Sequence, residues 1–278
     1  MKRISIILLA ILGFSCQEEV DLPLRTFDSK VPVIEAIWTN RPFYNEVSVT
    51  LAQNYFDTTS IESIKDAEVY ILNTRLNEVI PFAYNSTSNS YRPLNSQEVA
   101  EVGERYQLVV NWQDLQFESS GELLESPIVD SLTYQYEEDP LFNDEGYYIK
   151  VYGRIPFEEN NFYRIRVIEN DTLKNDASDY LLFDDRFGFG IFENGLELNY
   201  PFDVGDRVRL ELYRLNEQPY NYLSQLASLL SNDGGLFSSP PQNPDTNIKV
   251  VQGNSDVLGY FNVTSILTRS ILIEEQDE

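Results

Sequence analysis

The residue whose type and position point to the most definite chemistry is Cys16, the one cysteine of the chain. It follows a basic start, an almost unbroken apolar run from Ile4 to Phe14, and Ser15. This order is typical of an export signal, and the apolar run is shorter than the roughly 20 residues that cross a bilayer. We therefore expect a signal peptide over residues 1–15 and a lipid on the Cys16 thiol. An ordinary secretory signal followed by an incidental cysteine is the alternative.

Polar and acidic side chains follow this cysteine at once, in Gln17, Glu18 and Glu19. In this position they resemble the surface-export signal of Bacteroidota lipoproteins, which implies transfer to the outer leaflet, facing the cell exterior. A flexible acidic tether without sorting meaning is the alternative. Residues 16–30 are polar and lack periodicity, so they predict a lipidated tether that contacts the membrane only through its acyl chains.

One acidic loop offers oxygen atoms of the kind that calcium prefers. Its candidate ligands are Asp139, Asn143, Asp144 and Glu145, whose spacing fits no EF-hand. A solvated acidic loop explains the same residues, so calcium stays an open alternative and the only cofactor that we expect is the covalent lipid.

Asp185 and Arg186 stand where a strand meets a glycine-containing loop. An aspartate and an arginine can form a bidentate ion pair, so we expect a buried structural pair that holds this loop. A cation site on the neighbouring carboxylates is the alternative. Within the loop, Phe187 and Phe189 lie among glycines, and Phe237 lies in a later proline-rich loop. Because aromatic residues are favoured at interfaces, these three are candidates for exposed contacts.

The composition excludes several classes of function. The chain has no histidine, which rules out a Ser-His-Asp triad, a Cys-His pair and a His-ligated zinc. Paired carboxylates could hydrolyse a glycoside without histidine, but a chain with 45 acidic residues contains such pairs by chance. A net charge of −25 repels nucleic acid. We therefore expect no enzyme and no nucleic-acid partner, and a carboxylate-based hydrolase remains a minor alternative.

The elements that must position these residues are mostly strands. Residues 31–126 contain about seven short alternating segments separated by turns, which is typical of an antiparallel sandwich. Ser126-Pro127 indicates a domain boundary, and residues 127–278 predict a second β-rich domain with a helix over residues 219–230. The expected fold is mostly β: two antiparallel β-sandwich-like domains of immunoglobulin or fibronectin kind, with one short helix in the second.

Several segments in a fixed order resemble one known family. They are Cys16 with its acidic sequel and Val20-Asp21-Leu22-Pro23, Phe183-Asp184-Asp185-Arg186, Val204-Gly205-Asp206, the helix with Tyr220 and Tyr222, the loop from Phe237 to Asn247, and Leu258-Gly259-Tyr260-Phe261. Together they resemble the Bacteroidota outer-membrane lipoproteins grouped as domain of unknown function 4249.

The resemblance implies a cellular role but no specific functional residues. Members of the family are typically predicted surface lipoproteins, often encoded beside a TonB-dependent receptor of the starch-utilisation type. It therefore implies a non-enzymatic accessory subunit of an outer-membrane β-barrel complex, either a TonB-dependent transporter or an export or assembly machine. A free-standing glycan- or peptide-binding lipoprotein is the alternative, and the family supplies no catalytic residues.

Overall fold

The computed structural model describes residues 30–54, 57, 60–138, 144–158, 161–185, 190–232 and 242–275. These residues are mostly β and form a sandwich-like fold, which confirms the expected fold class. The first seven strands are β1 Pro32–Thr39, β2 Glu46–Leu51, β3 Glu68–Asn73, β4 Glu78–Asn85, β5 Ser90–Pro93, β6 Arg105–Trp112 and β7 Leu115–Glu122.

The second half of the described chain adds nine strands and two α-helices. The strands are β8 Ile128–Glu137, β9 Gly146–Arg154, β10 Phe162–Glu169, β11 Thr172–Leu173, β12 Leu181–Asp184, β13 Leu196–Glu197, β14 Arg207–Leu215, β15 Lys249–Gln252 and β16 Leu258–Leu272. The helices are α1 Gly190–Glu193 and α2 Glu217–Leu230, and a short 3-10 helix covers Ala177–Asp179.

Most strands belong to one large mixed sheet. Its order is β11-β10-β14-β16-β1-β2-β5-β4-β3-β6-β7-β15, with β12 also beside β10, while β13-β9-β8 form a small second sheet. The pairing of β1 with β16 is parallel, which departs from an all-antiparallel sandwich. The two strands come from opposite ends of the described chain, so no hairpin constrains their relative direction.

Strand β16 links the two halves of the molecule. Because alternate side chains of a strand share a face, its odd-numbered residues point to one side along all of its 15 residues. Phe261 and Val263 join the core of the N-terminal half, and Leu267 and Ile271 pack against the core of the C-terminal half. The main sheet therefore runs across the boundary expected at residues 126 and 127, and the division into two folding units stays a prediction.

Each half has its own apolar core. In the first, Trp38 is fully buried and makes edge contacts with Phe82 and Tyr106, at ring-centroid distances of 6.0 and 5.9 Å. In the second, the small sheet covers the β10 face that carries Ile165 and Val167. Apolar burial on this scale is the main stabilising contribution to both halves.

Helix α2 begins two residues before the start expected from the apolar spacing and ends at the expected residue. The preceding residue, Asn216, makes no side-chain cap of the helix. Its side-chain amide instead donates to the carbonyls of Glu122 and Val263 at 2.9 and 2.8 Å, which ties the helix start to β7 and β16. Tyr222 and Leu223 on the buried face then hold the helix against the sheet.

Candidate functional site

A tyrosine-rich cluster lies on the side of the main sheet that is turned away from these two cores, where helix α2 packs. Arg164 and Arg166 are two residues apart on β10, so they share this face, opposite to the core residues Tyr163 and Ile165. Arg164 is paired in register with Tyr213 on β14. The side chains of Tyr180, Tyr213, Tyr222 and Tyr260 belong to the apolar contacts between the helix and the sheet, and we call them the tyrosine cluster.

A buried carboxylate lies next to this cluster, and its hydrogen bonds are already made to other protein groups. Glu211 is 3% exposed and accepts hydrogen bonds from the hydroxyls of Tyr44 and Tyr213, both at 2.7 Å. Arg166 donates to the Tyr213 hydroxyl at 3.1 Å, and Arg209 lies 3.8 Å from the carboxylate. A buried charge that is paired and hydrogen-bonded in this way stabilises a fold, so we assign this group a structural role.

Arg164 differs from these groups because nothing in the described chain accepts its hydrogen bonds. The guanidinium lies over the Tyr180 ring, 4.7 Å from the centroid. Its Nε is buried and has no hydrogen-bond partner. Burial lowers the pKa of Arg164, and the charge of nearby Arg166 acts in the same direction. A cation held in this state is costly to the fold.

The tyrosines beside Arg164 supply rings and neutral hydroxyls. The rings of Tyr222 and Tyr260 are stacked at 4.7 Å. Burial, together with the nearby Glu35 carboxylate, raises the pKa of Tyr260 to about 12, while Arg164 acts in the opposite direction. Burial also raises the pKa of Tyr222. These phenols therefore stay protonated at neutral pH and can donate hydrogen bonds. The Tyr260 hydroxyl lies near both the Arg164 cation and the Glu35 carboxylate.

A depression of about 490 Å³ lies against α2. Its lining includes the polar residues Gln218, Asn221, Ser224 and Thr246. The amide of Gln225 closes one wall by donating to Asp245 at 3.0 Å and accepting from the Asp245 backbone at 2.8 Å. Residues 242–247 thus contact the helix, while Phe237 lies outside the described residues.

The residues of the predicted anchor and calcium loop fall largely outside the described chain. This holds for Cys16, Gln17, Glu18 and Glu19, and for Asp139 and Asn143. The backbone carbonyl of Asp144 accepts a hydrogen bond from the Tyr148 hydroxyl at 2.8 Å. Glu145 accepts one from the Tyr136 hydroxyl, which raises the pKa of Tyr136 to about 12. Among residues with described positions, no group of three acidic or cysteine side chains is arranged to hold a metal ion.

The predicted structural pair is seen only in part. Asp185 is 1% exposed, and its carboxylate accepts hydrogen bonds from the backbone and the side-chain amide of Asn161. The amide oxygen of Asn161 in turn accepts from Arg214. Arg186, Phe187 and Phe189 lie outside the described residues, so the pairing of Asp185 with Arg186 stays a prediction.

Reasoning from the sequence missed the unpaired Arg164 beside the tyrosine cluster, although one signal for it was present. In the strand around Tyr163, the apolar residues alternate with Arg164 and Arg166. Two arginines at this spacing must share the face that does not enter the core. This alternation predicts that both arginines lie on one face of the strand. It does not predict which of them donates hydrogen bonds to another group of the protein.

Comparisons with known proteins give one clear relationship. No curated protein and no solved structure matches the chain significantly. Over the part of the chain with described positions, no helix has both the length and the apolar character needed to cross a membrane. The model of the family described as "Domain of unknown function (DUF4249)" matches residues 17–270, which is most of the 278-residue chain. The protein therefore belongs to the DUF4249 family, as the order of its segments led us to expect.

Proposed function

We propose that this protein is a lipid-anchored lipoprotein of the outer membrane that faces the cell exterior and serves as a non-enzymatic accessory subunit of a β-barrel complex. The observation that carries the proposal is the position of Cys16, directly after an export leader and directly before the polar and acidic residues Gln17, Glu18 and Glu19. The barrel partner would be a TonB-dependent transporter, or an export or assembly machine.

Two further observations support the anchor. The family match begins at residue 17, the residue after Cys16, so the leader lies outside the family domain. The first strand begins at Pro32, which leaves 16 residues from the cysteine to the folded body. A chain of that length reaches at most about 55 Å when extended. The anchor therefore keeps the body close to the membrane, within reach of the outer parts of a neighbouring barrel.

The first test of this function uses the anchor itself. We expect the tagged protein to incorporate labelled palmitate and to co-purify with a stoichiometric barrel protein from native membranes in mild detergent. The variant Cys16→Ala should lose the label, and its partner recovery should fall because it no longer shares the membrane. A labelled wild-type protein that purifies alone would overturn the accessory-subunit role and leave a free-standing glycan- or peptide-binding lipoprotein.

An exposed aromatic residue is the best candidate for the contact with that partner. Phe43 is 70% exposed, and its backbone has φ +70° in the turn between β1 and β2. A bulky residue at positive φ is strained, and such strain is concentrated at functional surfaces. Aromatic side chains also supply a large share of the binding energy at interfaces. We therefore place Phe43 in the docking surface.

Substitution of Phe43 separates binding from folding. Asparagine tolerates positive φ better than phenylalanine, so Phe43→Asn should leave the midpoint of thermal unfolding unchanged or raised. Recovery of the barrel partner should fall about tenfold or more, as expected for the loss of a central aromatic contact. The matched control is Leu76→Asn, which removes an exposed apolar side chain from the turn between β3 and β4. Equal partner recovery by both variants would exclude Phe43 from the interface.

A further inference from the structure

An open cavity beside helix α2 has no part in the proposed function. It is the depression of about 490 Å³ that is lined by the helix and by residues 245–247, and we call it the helix depression. Its volume lies within the range of roughly 300–1,000 Å³ that is usual for small-molecule sites. Gln218, Asn221 and Gln225 line it from the helix and are exposed, so solvent reaches it. The depression is therefore large enough and accessible enough to receive a small molecule.

Both walls of the helix depression are held in place by the protein itself. The Gln225 amide donates to the Asp245 carboxylate at 3.0 Å and accepts from the Asp245 backbone at 2.8 Å. The side chain of Asn247 donates to the Phe261 carbonyl at 2.8 Å and accepts from the Phe261 N–H at 2.9 Å, which fixes this wall to β16. Helix α2 forms the other wall and is tied to the sheet at its start. Because both walls are already ordered, binding there costs little conformational entropy.

The helix also presents hydrogen-bonding groups that no other described residue uses. Gln218, Asn221 and Ser224 recur every three residues along α2, so they are neighbours on its surface. Within the described chain, no hydrogen bond joins any of these three side chains to another residue. An amide carries both donors and an acceptor, and a hydroxyl also acts in both ways. These side chains can therefore bind a ligand whose own groups both donate and accept.

The lining further limits the charge of such a ligand. Of the lining residues that the structure describes, none is a lysine or an arginine, and the one carboxylate, Asp245, is bonded to Gln225. Together with a net charge of −25, this disfavours an anion, and one carboxylate does not make a calcium site. Apolar atoms share the surface with the polar ones, and the lining includes Tyr220, whose ring packs on Phe162 at a centroid distance of 4.8 Å. The lining therefore suits a neutral molecule that has both hydroxyl groups and carbon surface.

We propose that the helix depression binds a neutral saccharide of one or two rings. Each sugar hydroxyl is both a donor and an acceptor, which matches the amides of Gln218 and Asn221 and the hydroxyl of Ser224. The C–H groups of the sugar ring supply apolar surface that can contact Tyr220 and the carbon atoms of the other lining side chains. The site is independent of the proposed function, because it needs neither the lipid anchor nor a barrel partner.

The test measures binding of defined compounds to the full chain, purified in a detergent without a sugar headgroup. Maltose, cellobiose and N,N′-diacetylchitobiose represent neutral disaccharides, D-glucuronate represents a charged sugar, and N-acetyl-glycylglycine amide represents a peptide main chain. Saturation-transfer NMR and calorimetry should detect at least one disaccharide and neither of the other two compounds. Failure of all three disaccharides at millimolar concentration would overturn the proposal. Stronger binding of glucuronate or of the peptide amide than of every disaccharide would contradict it as well.

Substitutions on the helix decide whether these amides hold the sugar. The double variant Gln218→Ala, Asn221→Ala should weaken the affinity about tenfold or more, because two neutral hydrogen bonds are lost. Both residues are exposed and alanine favours a helix, so the midpoint of thermal unfolding should be unchanged or raised. The control Gln135→Ala removes an exposed amide from β8, outside the depression. Equal loss in the control, or full affinity in the double variant, would contradict the site.

A larger apolar side chain at residue 224 tests the location of the site by filling it. Side chains on a helix lean toward its N-terminus, so Ser224→Leu should cover the turn around Asn221 and reduce the open volume. Ser224 is only partly buried and leucine favours a helix, so the fold should tolerate the change. We expect the saccharide signal to disappear while the midpoint of thermal unfolding stays within a few degrees. An undiminished signal in this variant would place the sugar elsewhere and overturn the assignment.

Discussion

Replacing Asp185 with alanine is expected to lower the free energy of unfolding by about 3–5 kcal/mol, because it leaves a buried arginine without its anionic neighbour. Asn161 connects the two residues, because its N–H groups donate to the Asp185 carboxylate and its amide oxygen accepts from Arg214. The guanidinium also donates to the Glu125 carbonyl at 2.7 Å and lies 3.7 Å from the ring centroid of Phe157. Asp185, Asn161 and Arg214 are each less than 10% exposed, so solvent cannot replace the lost contacts.

An exposed pair elsewhere in the chain provides the control for this substitution. Arg154 and Asp130 are 3.3 Å apart, with side chains 60% and 49% exposed. Asp130→Ala should therefore cost only about 0–1 kcal/mol. Urea denaturation of the two variants measures the difference directly. If Asp185→Ala costs no more than Asp130→Ala, the carboxylate is not part of the stabilising network.

A double variant tests whether the cost arises from the uncompensated charge. Burial lowers the pKa of Arg214, while the nearby Asp185 carboxylate acts in the opposite direction. Once the carboxylate is gone, the remaining cation is the main source of destabilisation. Arg214→Met in the Asp185→Ala background should therefore restore part of the lost free energy. Additive costs in the double variant would locate the effect in packing instead.

The second large effect is expected at Gly259, where β16 starts beside β1. The backbone has φ +97°, and a Cβ at this position would lie 2.0 Å from the carbonyl oxygen of Ile34. Ile34 is its partner in the parallel pairing of the two strands, so neither backbone can move aside without breaking that pairing. Gly259→Ala should therefore cost about 4 kcal/mol or more, through strain and loss of sheet hydrogen bonds together.

Gly205 distinguishes the cost of backbone strain from the cost of losing sheet hydrogen bonds. It has φ +96°, almost the same as Gly259, but a Cβ there would meet nothing within 4 Å. Gly205→Ala should cost only the conformational part, about 1–2 kcal/mol. Thermal and urea unfolding of both variants gives the comparison. An equal cost at the two positions would mean that β1 and β16 tolerate separation, and that the parallel pairing contributes little.

Local sequence patterns were sufficient to predict the secondary-structure elements and the lipid anchor. The seven or so strands expected in residues 31–126 are present as β1 to β7, between Pro32 and Glu122. The helix expected over residues 219–230 runs from Glu217 to Leu230. Both follow from the side-chain periods of two and 3.6 residues, which depend only on neighbouring positions. The lipid on Cys16 is likewise predicted from adjacent residues, and palmitate labelling of the wild-type protein and of Cys16→Ala tests it.

The tertiary structure alone decided which distant elements meet. Nothing in the alternation of β16 indicates that Phe261 enters the core of the N-terminal half, or that the strand lies parallel to β1. The same holds for the side chains: Arg166 and Arg164 have equivalent local patterns, yet only Arg166 donates to the Tyr213 hydroxyl and lies 4.0 Å from Glu211. Periodicity determines the face on which a residue lies, whereas its partner depends on long-range strand order. Local sequence patterns therefore predicted the elements and the lipid anchor of this protein, and the three-dimensional arrangement decided which distant side chains meet.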